Sequence, residues 1–483
     1  MLNSDDHHNT DQTFSSKETT EAKQPVIAIF DIGKTNKKIF LLNEEYKIIY
    51  EESVQLPETT DEDGFPCENV DALTDWVKHS LNKIFAFNYA DIKAINFSTY
   101  GASFVHVDKE GKPVTPLYNY LKPFSEKLKQ DFYNKYGGEI YFSQITASPV
   151  LGNLNSGLQL YRLKYEHKDL FEKIHYSLHL PQYLSSLVTG KYYTDITSIG
   201  CHTGLWNFPQ NHYHEWLYRE GIVDKLPGIF PSDEVMPAKW NATSLIAGGG
   251  LHDSSAALIP YLSGFHEPFI LISTGTWCIS MNPFNSSPLT DKELLQDCLC
   301  YLTYQGTPVK ASRLFAGYEH EQQIKRLAQH YNKTTDYYTT IEYKPEIISK
   351  LQNHQEKDFH PTDLPAIKQS HFSERDLINY PNYEEAYHQL MIDIISQQLA
   401  STELILKNTE VKRIFVDGGF SKNLIYMNLL AAAFPEMEVY AALVAQATAV
   451  GAALAIHKYW NKKHLPGDLI ELKYYAFKNY LVL

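Results

Sequence analysis

The stretch VIAIFDIGKTNKKIFLL, residues 26–42, constrains the fold more than any other: two continuous apolar runs flank a turn that contains Gly33. Short runs this rich in β-branched residues read as strands covered on both faces, so the pattern predicts a hairpin within a buried sheet. The same plan returns in FILISTGTWCISMN, residues 269–282, where an apolar strand, a Ser-Thr-Gly-Thr turn and a second strand follow one another. Two glycine-centred hairpins imply two related halves.

A chain of 483 residues suits two domains, each able to bury its own core. Both halves continue with mixed α and β signals. AINFST (94–99) and FVHVD (104–108) read as strands, with a turn at KEGKP (109–113). Residues 383–406 carry apolar or small side chains at Tyr387, Leu390, Met391, Ile394, Ile395, Leu399, Thr402 and Leu406, the 3.6 period of an amphipathic helix. RIFVDGG (413–419) reads as a buried strand running into glycines, and Ser421 is placed to cap the helix after it. The run IAGGG (246–250) offers a flexible crossing. The expected plan is a disordered tail over 1–24, an N-terminal lobe over 25–247, a C-terminal lobe over 248–465 and an extension over 466–483.

Charge and composition exclude several functions. With 43 basic and 57 acidic residues, net −14, the chain lacks the basic balance that a nucleic-acid partner requires, although a small anion needs only a few amides and one lysine. No apolar run reaches the roughly 18 residues of a membrane span. The first 24 residues have neither a basic n-region nor an apolar h-region, so they do not read as a signal peptide. Five scattered cysteines fit a reducing cytoplasm, and Cys298 with Cys300 lacks the second pair a zinc site needs. The 20 histidines show no ligand spacing, and His212 and His214 read as loop residues.

Four short elements can carry chemistry. In DIGKTNKK, the turn at Gly33 exposes successive amides to phosphate oxygens, Thr35 and Asn36 add donors, Lys34 or Lys38 adds charge, and Asp31 can hold Mg²⁺ through water. STGTW offers a second such nest with Ser273, Thr274, Gly275 and Thr276; VDGGFSKN offers a third glycine turn, at Gly418 and Gly419, opening a helix. Each also reads as an ordinary turn. GGGLHDSSAAL (248–258) sets a lone carboxylate, Asp253, among small residues; it too reads as a helix N-terminus.

Jointly, these elements resemble the ribonuclease-H-like fold of actin and hexokinase, an α/β architecture of two lobes with ATP in the cleft between them. In order and spacing they are similar to the FGGY family of carbohydrate kinases over roughly residues 25–460. The resemblance implies that Asp31, Gly33, Lys34, Thr35, Asn36 and Lys38 form the first phosphate motif and Gly275 with Thr276 the second. Gly418, Gly419 and Asn423 would lie nearest the adenosine, Gln322 would approach the nucleotide, and VAQATAVGAALAIH (444–457) would be a closely packed small-residue helix. Asp253 would be the base that takes the proton of a sugar hydroxyl, with His252 and Ser254 bonded to neighbouring hydroxyls. The implied cofactors are ATP and Mg²⁺, the partner is a small sugar, and a homodimer is allowed.

Tyr100 and Gly101 resemble the aromatic-glycine pair that faces the sugar in rhamnulokinases and fuculokinases, which favours a 6-deoxyketohexose, L-rhamnulose ahead of L-fuculose. Three departures stand out. Lys34 replaces a small residue; YNYLKPFS (118–125) lacks the usual Asp-Arg pair, leaving Asn119 or Lys122 to compensate; and Leu314 replaces an asparagine. Another ketose or polyol is the alternative acceptor. From a different class, an actin-like ATPase would use the same cleft.

Overall fold

The computed structural model describes residues 23–353, 371–444 and 446–476. The tail expected over 1–24 lies outside them except for its last two residues, as does the end of the chain after 476.

Both expected hairpins form, and each starts a sheet with the same order. In the first half, Ile48–Val54, Lys37–Asn43, Gln24–Ile32, Ala90–Thr99 and Thr243–Gly248 lie side by side, the first three antiparallel and the rest parallel to Gln24–Ile32. In the second, the matching order is Pro308–Leu314, Cys278–Asn282, Phe269–Thr274, Arg413–Gly418 and Glu438–Leu443. The two related halves read from the sequence are therefore two mixed α/β lobes of one topology.

The central strands are apolar throughout because both faces are covered. On the outer face of the first sheet, Val26, Ala28 and Phe30 meet helices Val70–Phe85 and Leu180–Thr189. On the outer face of the second, Ile270 and Ile272 meet the 24-residue helix Tyr383–Leu406, which lies where the apolar period predicts. The inner faces share one core: Ile27 and Ile29 from one sheet and Leu271 and Phe415 from the other enclose helices Asp253–Gly264 and Ala447–Ala455.

Those two helices cross at unusually close range. A Cβ on Gly451 would stand 1.8 Å from the Ala256 carbonyl oxygen, so only glycine fits there. Pro260 lies four residues after Ala256 and has no amide hydrogen, so that carbonyl has no partner in its own helix and is free to face Gly451. The small residues of 447–455 thus have the expected packing role.

Three expectations are revised. The glycines at 248–250 are not a flexible crossing. A Cβ on Gly248 would meet Asn96 Oδ1 at 2.4 Å and one on Gly250 the Pro181 carbonyl at 2.7 Å, while Ser185 and Gln182 donate to the backbone oxygens of Gly248 and Gly250. Leu251–His252 then pairs with Ala90–Thr99, so the first sheet continues beyond 248. At the far end, Glu471–Tyr475 pairs with Glu438–Leu443 and makes part of the expected extension an edge strand of the second sheet. Lastly, Asn423 and not Ser421 caps helix Leu424–Ala433, because Phe420–Lys422 forms a separate 3₁₀ turn and the Asn423 side chain accepts from the amides of Ile425 and Tyr426. Among the described residues, no helix is long and apolar enough to cross a membrane.

Gly451→Val is expected to lower stability by at least ~2 kcal/mol through overpacking, read as a lower urea midpoint. Gly467→Ala is the control; among the described residues, no atom beyond its chain neighbours lies within 4 Å of its Cβ position, so its midpoint should stay within ~0.5 kcal/mol of the parent.

Candidate active site

Asp253 is the first residue of the helix that crosses Ala447–Ala455, and its side chain retains 33% of its exposure. The Ser254 amide and hydroxyl donate to its Oδ1 at 2.6 and 3.2 Å. Those bonds and the helix N-terminus favour the charged form, yet burial outweighs them and pushes its carboxyl up to about 6. Asp31, at the end of the first strand, is raised to about 6 by burial too, with the negative charge of Asp253 adding to the effect. The Thr448 hydroxyl, from the crossing helix, donates to Asp31 Oδ2 at 2.7 Å. One helix pair therefore joins the two carboxylates: Thr448 holds Asp31, and a turn later Gly451 seats the helix that begins at Asp253.

His252 and Ser254, expected at sugar hydroxyls, turn to the protein. His252 is 4% exposed, with Nε2 at 3.1 Å from both Asp253 Oδ1 and Cys201 Sγ and Nδ1 beside Ser255. Burial lowers it to about 3, so the ring is neutral and backs Asp253. Gly101 makes room for this ring: a Cβ there would lie 2.6 Å from Cys201 Sγ and 3.0 Å from the His252 ring.

At the first turn, Gly33 N donates to the Asn36 carbonyl, and Thr35 and Asn36 are exposed. The two lysines of this motif both meet carboxylates. Lys38 pairs with Glu51 at 3.3 Å. Lys34 points to Glu68, 3.2 Å from Oε1, and lies over the rings of Tyr100 and Tyr120. Tyr100 is buried, and its hydroxyl donates to Glu68 at 2.7 Å. Lys122 donates to Asp61 and Asp63, both at 2.6 Å, and is 8% exposed, so it does not replace the missing Asp-Arg pair. Asn119 Oδ1 accepts from the Leu121 amide.

In the second lobe Gly275 and Thr276 are exposed at the hairpin tip. Thr274 is buried and ties this hairpin to the third turn: its carbonyl accepts from Gly419 N, and its hydroxyl accepts from Phe420 N and donates to the Asp417 carbonyl. Gly418, at φ +87°, passes so close to Thr274 that a Cβ would lie 2.0 Å from its carbonyl. Asn423, expected at the adenosine, instead spends its oxygen on the cap and its amide on Tyr387. Helix Ala316–His330 starts against the hairpin tip, with a Gly317 Cβ position 1.8 Å from the Gly275 carbonyl, and Gln322 lies half-buried on it.

Thr448, Glu68, Lys37 and Tyr120 escape a reading of the sequence. Thr448 leaves one signal, a hydroxyl in a run of small apolar residues; Glu68 and Tyr120 reach the site by tertiary folding alone. Among the described residues, Glu62, Asp63 and His167 bring ligand atoms within 4.8 Å, but Arg162 contacts both carboxylates and Lys122 also pairs with Asp63, so two cations of the chain already occupy these oxygens.

Residues 26–259 match the FGGY family of carbohydrate kinases, N-terminal domain, and residues 266–464 match the carbohydrate kinase FGGY, C-terminal domain. The chain is 25% identical over 283 residues to an L-fuculokinase of Escherichia coli strain K12, and 25% identical over 271 residues to a rhamnulokinase of Halalkalibacterium halodurans. These matches cover 54% and 53% of this chain; it spans 57% and 54% of those relatives. In fold it is similar to a carbohydrate kinase from Novosphingobium aromaticivorans, with TM-score 0.77, 22% identity and coverage of 94% of this chain and 95% of that one.

Asp253 binds its proton more tightly in the folded state, near 6, than unfolded, near 3.8. Its protonation therefore favours the fold at low pH, and that advantage is lost as pH rises through about 6. Asp253→Asn, neutral at every pH, should raise the urea midpoint above the parent at about pH 7.5, and the gap should close as pH falls towards about 4.

Proposed function

We propose, from the premise that the chain belongs to the FGGY family of carbohydrate kinases, that it transfers the γ-phosphoryl group of ATP to a sugar hydroxyl, with Asp253 as general base. The observation that carries this reading is the pairing of Asp253 and Asp31 across one helix crossing, both held near 6. A carboxyl poised there is largely ionised at neutral pH yet more basic than an ordinary aspartate, which suits removal of a hydroxyl proton as the new P–O bond forms.

The chain's own groups divide the work. Gly33 N and Gly275 N close their own turns onto the Asn36 and Trp277 carbonyls, which leaves the later amides of both turns, those of Lys34, Thr35, Asn36 and Thr276, as the donors for phosphate oxygens. His252, neutral and buried, orients the Asp253 carboxylate rather than meeting substrate. Asp31, beside Asp253 and short of a cationic partner, fits a hydrated Mg²⁺; Thr448 fixes its rotamer. Such an ion neutralises charge on the transferring phosphate. Closure of the lobes over both ligands excludes water that would otherwise accept the phosphoryl group.

The acceptor proposed is the 1-hydroxyl of a 6-deoxyketohexose, L-rhamnulose or L-fuculose. The curated relatives named rhamnulokinase and L-fuculokinase support it. Five cysteines, all free and buried, support a reducing compartment.

ADP production measured with L-rhamnulose, L-fuculose, D-xylulose, L-ribulose, glycerol and gluconate tests the reading. A rate that rises with one of the first two supports it, a rate led by another sugar moves the acceptor, and ADP formation indifferent to all six marks an ATPase. Asp253→Asn should lower kcat by at least ~10² while ATP binding stays within ~2-fold. The parent kcat/KM for sugar should rise with pH through about 6, where the Asp253 carboxyl loses its proton.

A further inference from the structure

Lys34 stands in the first phosphate turn, where its neighbours offer amides to ATP, but its side chain leaves that turn. Its ammonium lies 3.2 Å from Glu68 Oε1 and 5.7 and 5.8 Å from the ring centroids of Tyr100 and Tyr120, and the side chain keeps 26% of its exposure. Glu68 is the hub of this group. It is 5% exposed and comes from the short hairpin Glu58–Thr60 and Pro66–Glu68, which Lys122 fastens down through Asp61 and Asp63. Its Oε1 takes the Tyr100 hydroxyl at 2.7 Å, and its Oε2 lies 3.2 Å from the buried Lys37, whose ammonium also bonds the Lys34 carbonyl at 2.8 Å. The turn is thus locked from behind while the Lys34 side chain is drawn sideways.

The side to which it is drawn is that of Asp253. Tyr100 lies between Thr99, which pairs with His252 next to Asp253, and Gly101, whose Cβ position is 3.0 Å from the His252 ring, and Tyr120 packs edge-on against Tyr100. An ammonium has three N–H donors. Glu68 takes one, the two ring faces stabilise the cation from the flanks, and a donor remains for a ligand oxygen.

We infer that Lys34 is a specificity-determining residue of the acceptor side, donating to a neutral hydroxyl or carbonyl oxygen of the sugar and held in place by Glu68, rather than a phosphate ligand. The inference rests on the sugar-kinase reading above. It selects a neutral oxygen because the Lys34 and Lys37 ammonium groups face two carboxylates, Glu68, shared by both, and Glu58, 3.9 Å from Lys34 Nζ, which leaves no net positive charge for a sugar acid. It also supplies a cation on the side where Lys122, bound to Asp61 and Asp63, cannot.

The test uses Lys34→Met, which keeps the length of the chain and removes charge and donors, with Lys34→Arg and Glu68→Gln beside it. Two quantities are read on each full-length variant: ATP affinity of the sugar-free protein by calorimetry, and KM for the sugar that the parent phosphorylates fastest. Lys34→Met is expected to raise sugar KM at least ~10-fold, the loss of a charge-assisted hydrogen bond, with ATP affinity within ~2-fold. Lys34→Arg should recover part of the loss, and Glu68→Gln should raise sugar KM in the same direction. A parallel loss of ATP affinity in Lys34→Met would return Lys34 to the phosphates and overturn the inference, as would an unchanged sugar KM or an effect confined to gluconate. A parent that phosphorylates none of the six sugars overturns the kinase reading and this inference together, whereas an active parent with an indifferent Lys34→Met overturns the inference alone.

Discussion

The close crossing of helices Asp253–Gly264 and Ala447–Ala455 is the contact on which the rest of the structure depends. It fills the space between the inner faces of both sheets, so neither lobe has a complete core without it. Close approach requires a missing side chain on one helix and an unclaimed carbonyl on the other, and Gly451 and Pro260 provide them. The N-terminus of one helix then presents Asp253 and the first turn of the other presents Thr448 to Asp31. Packing and chemistry thus share one set of residues, and the cost of gathering two carboxylates is borne by a core that is hydrophobic on every other side.

Electrostatics on the two sides of the first turn follow opposite rules. Asp31 and Asp253 are close like charges with few compensating cations, and burial raises both. Glu68 is buried more deeply and is held by two ammonium groups and a phenol, so the carboxylate there is a fixed anchor. The first arrangement suits a group that must take up and release a proton, the second a group that must stay still.

Much of the architecture is legible in the sequence because it rests on local pattern. The hairpins at Gly33 and Gly275 and the helix over 383–406 follow from apolar runs, turn residues and a 3.6 period, none of which needs distant partners. Asp253 stands out in the same way, as a lone carboxylate among small residues. What fails is whatever depends on three-dimensional neighbours. The glycines at 248–250 look like a hinge in one dimension, while in space they admit Asn96 and Pro181. The partners of His252, Cys201 and Ser255, are likewise set by tertiary neighbours. The placement of Lys34 against Glu68, which comes from a separate hairpin, has no trace in the turn motif. Ser421 loses the cap to Asn423 because one extra 3₁₀ turn intervenes.

The strand Glu471–Tyr475 covers the side of Glu438–Leu443 and becomes the edge of the second sheet, and most of its residues face solvent. Without it, the row of backbone amides and carbonyls along Glu438–Leu443 would be left open, a template for pairing with another chain. The open edge thus passes to a strand of five residues that carries the charges of Glu471 and Lys473, which blunt it against pairing, and affinity tags or fusions are better carried at the opposite end of the polypeptide.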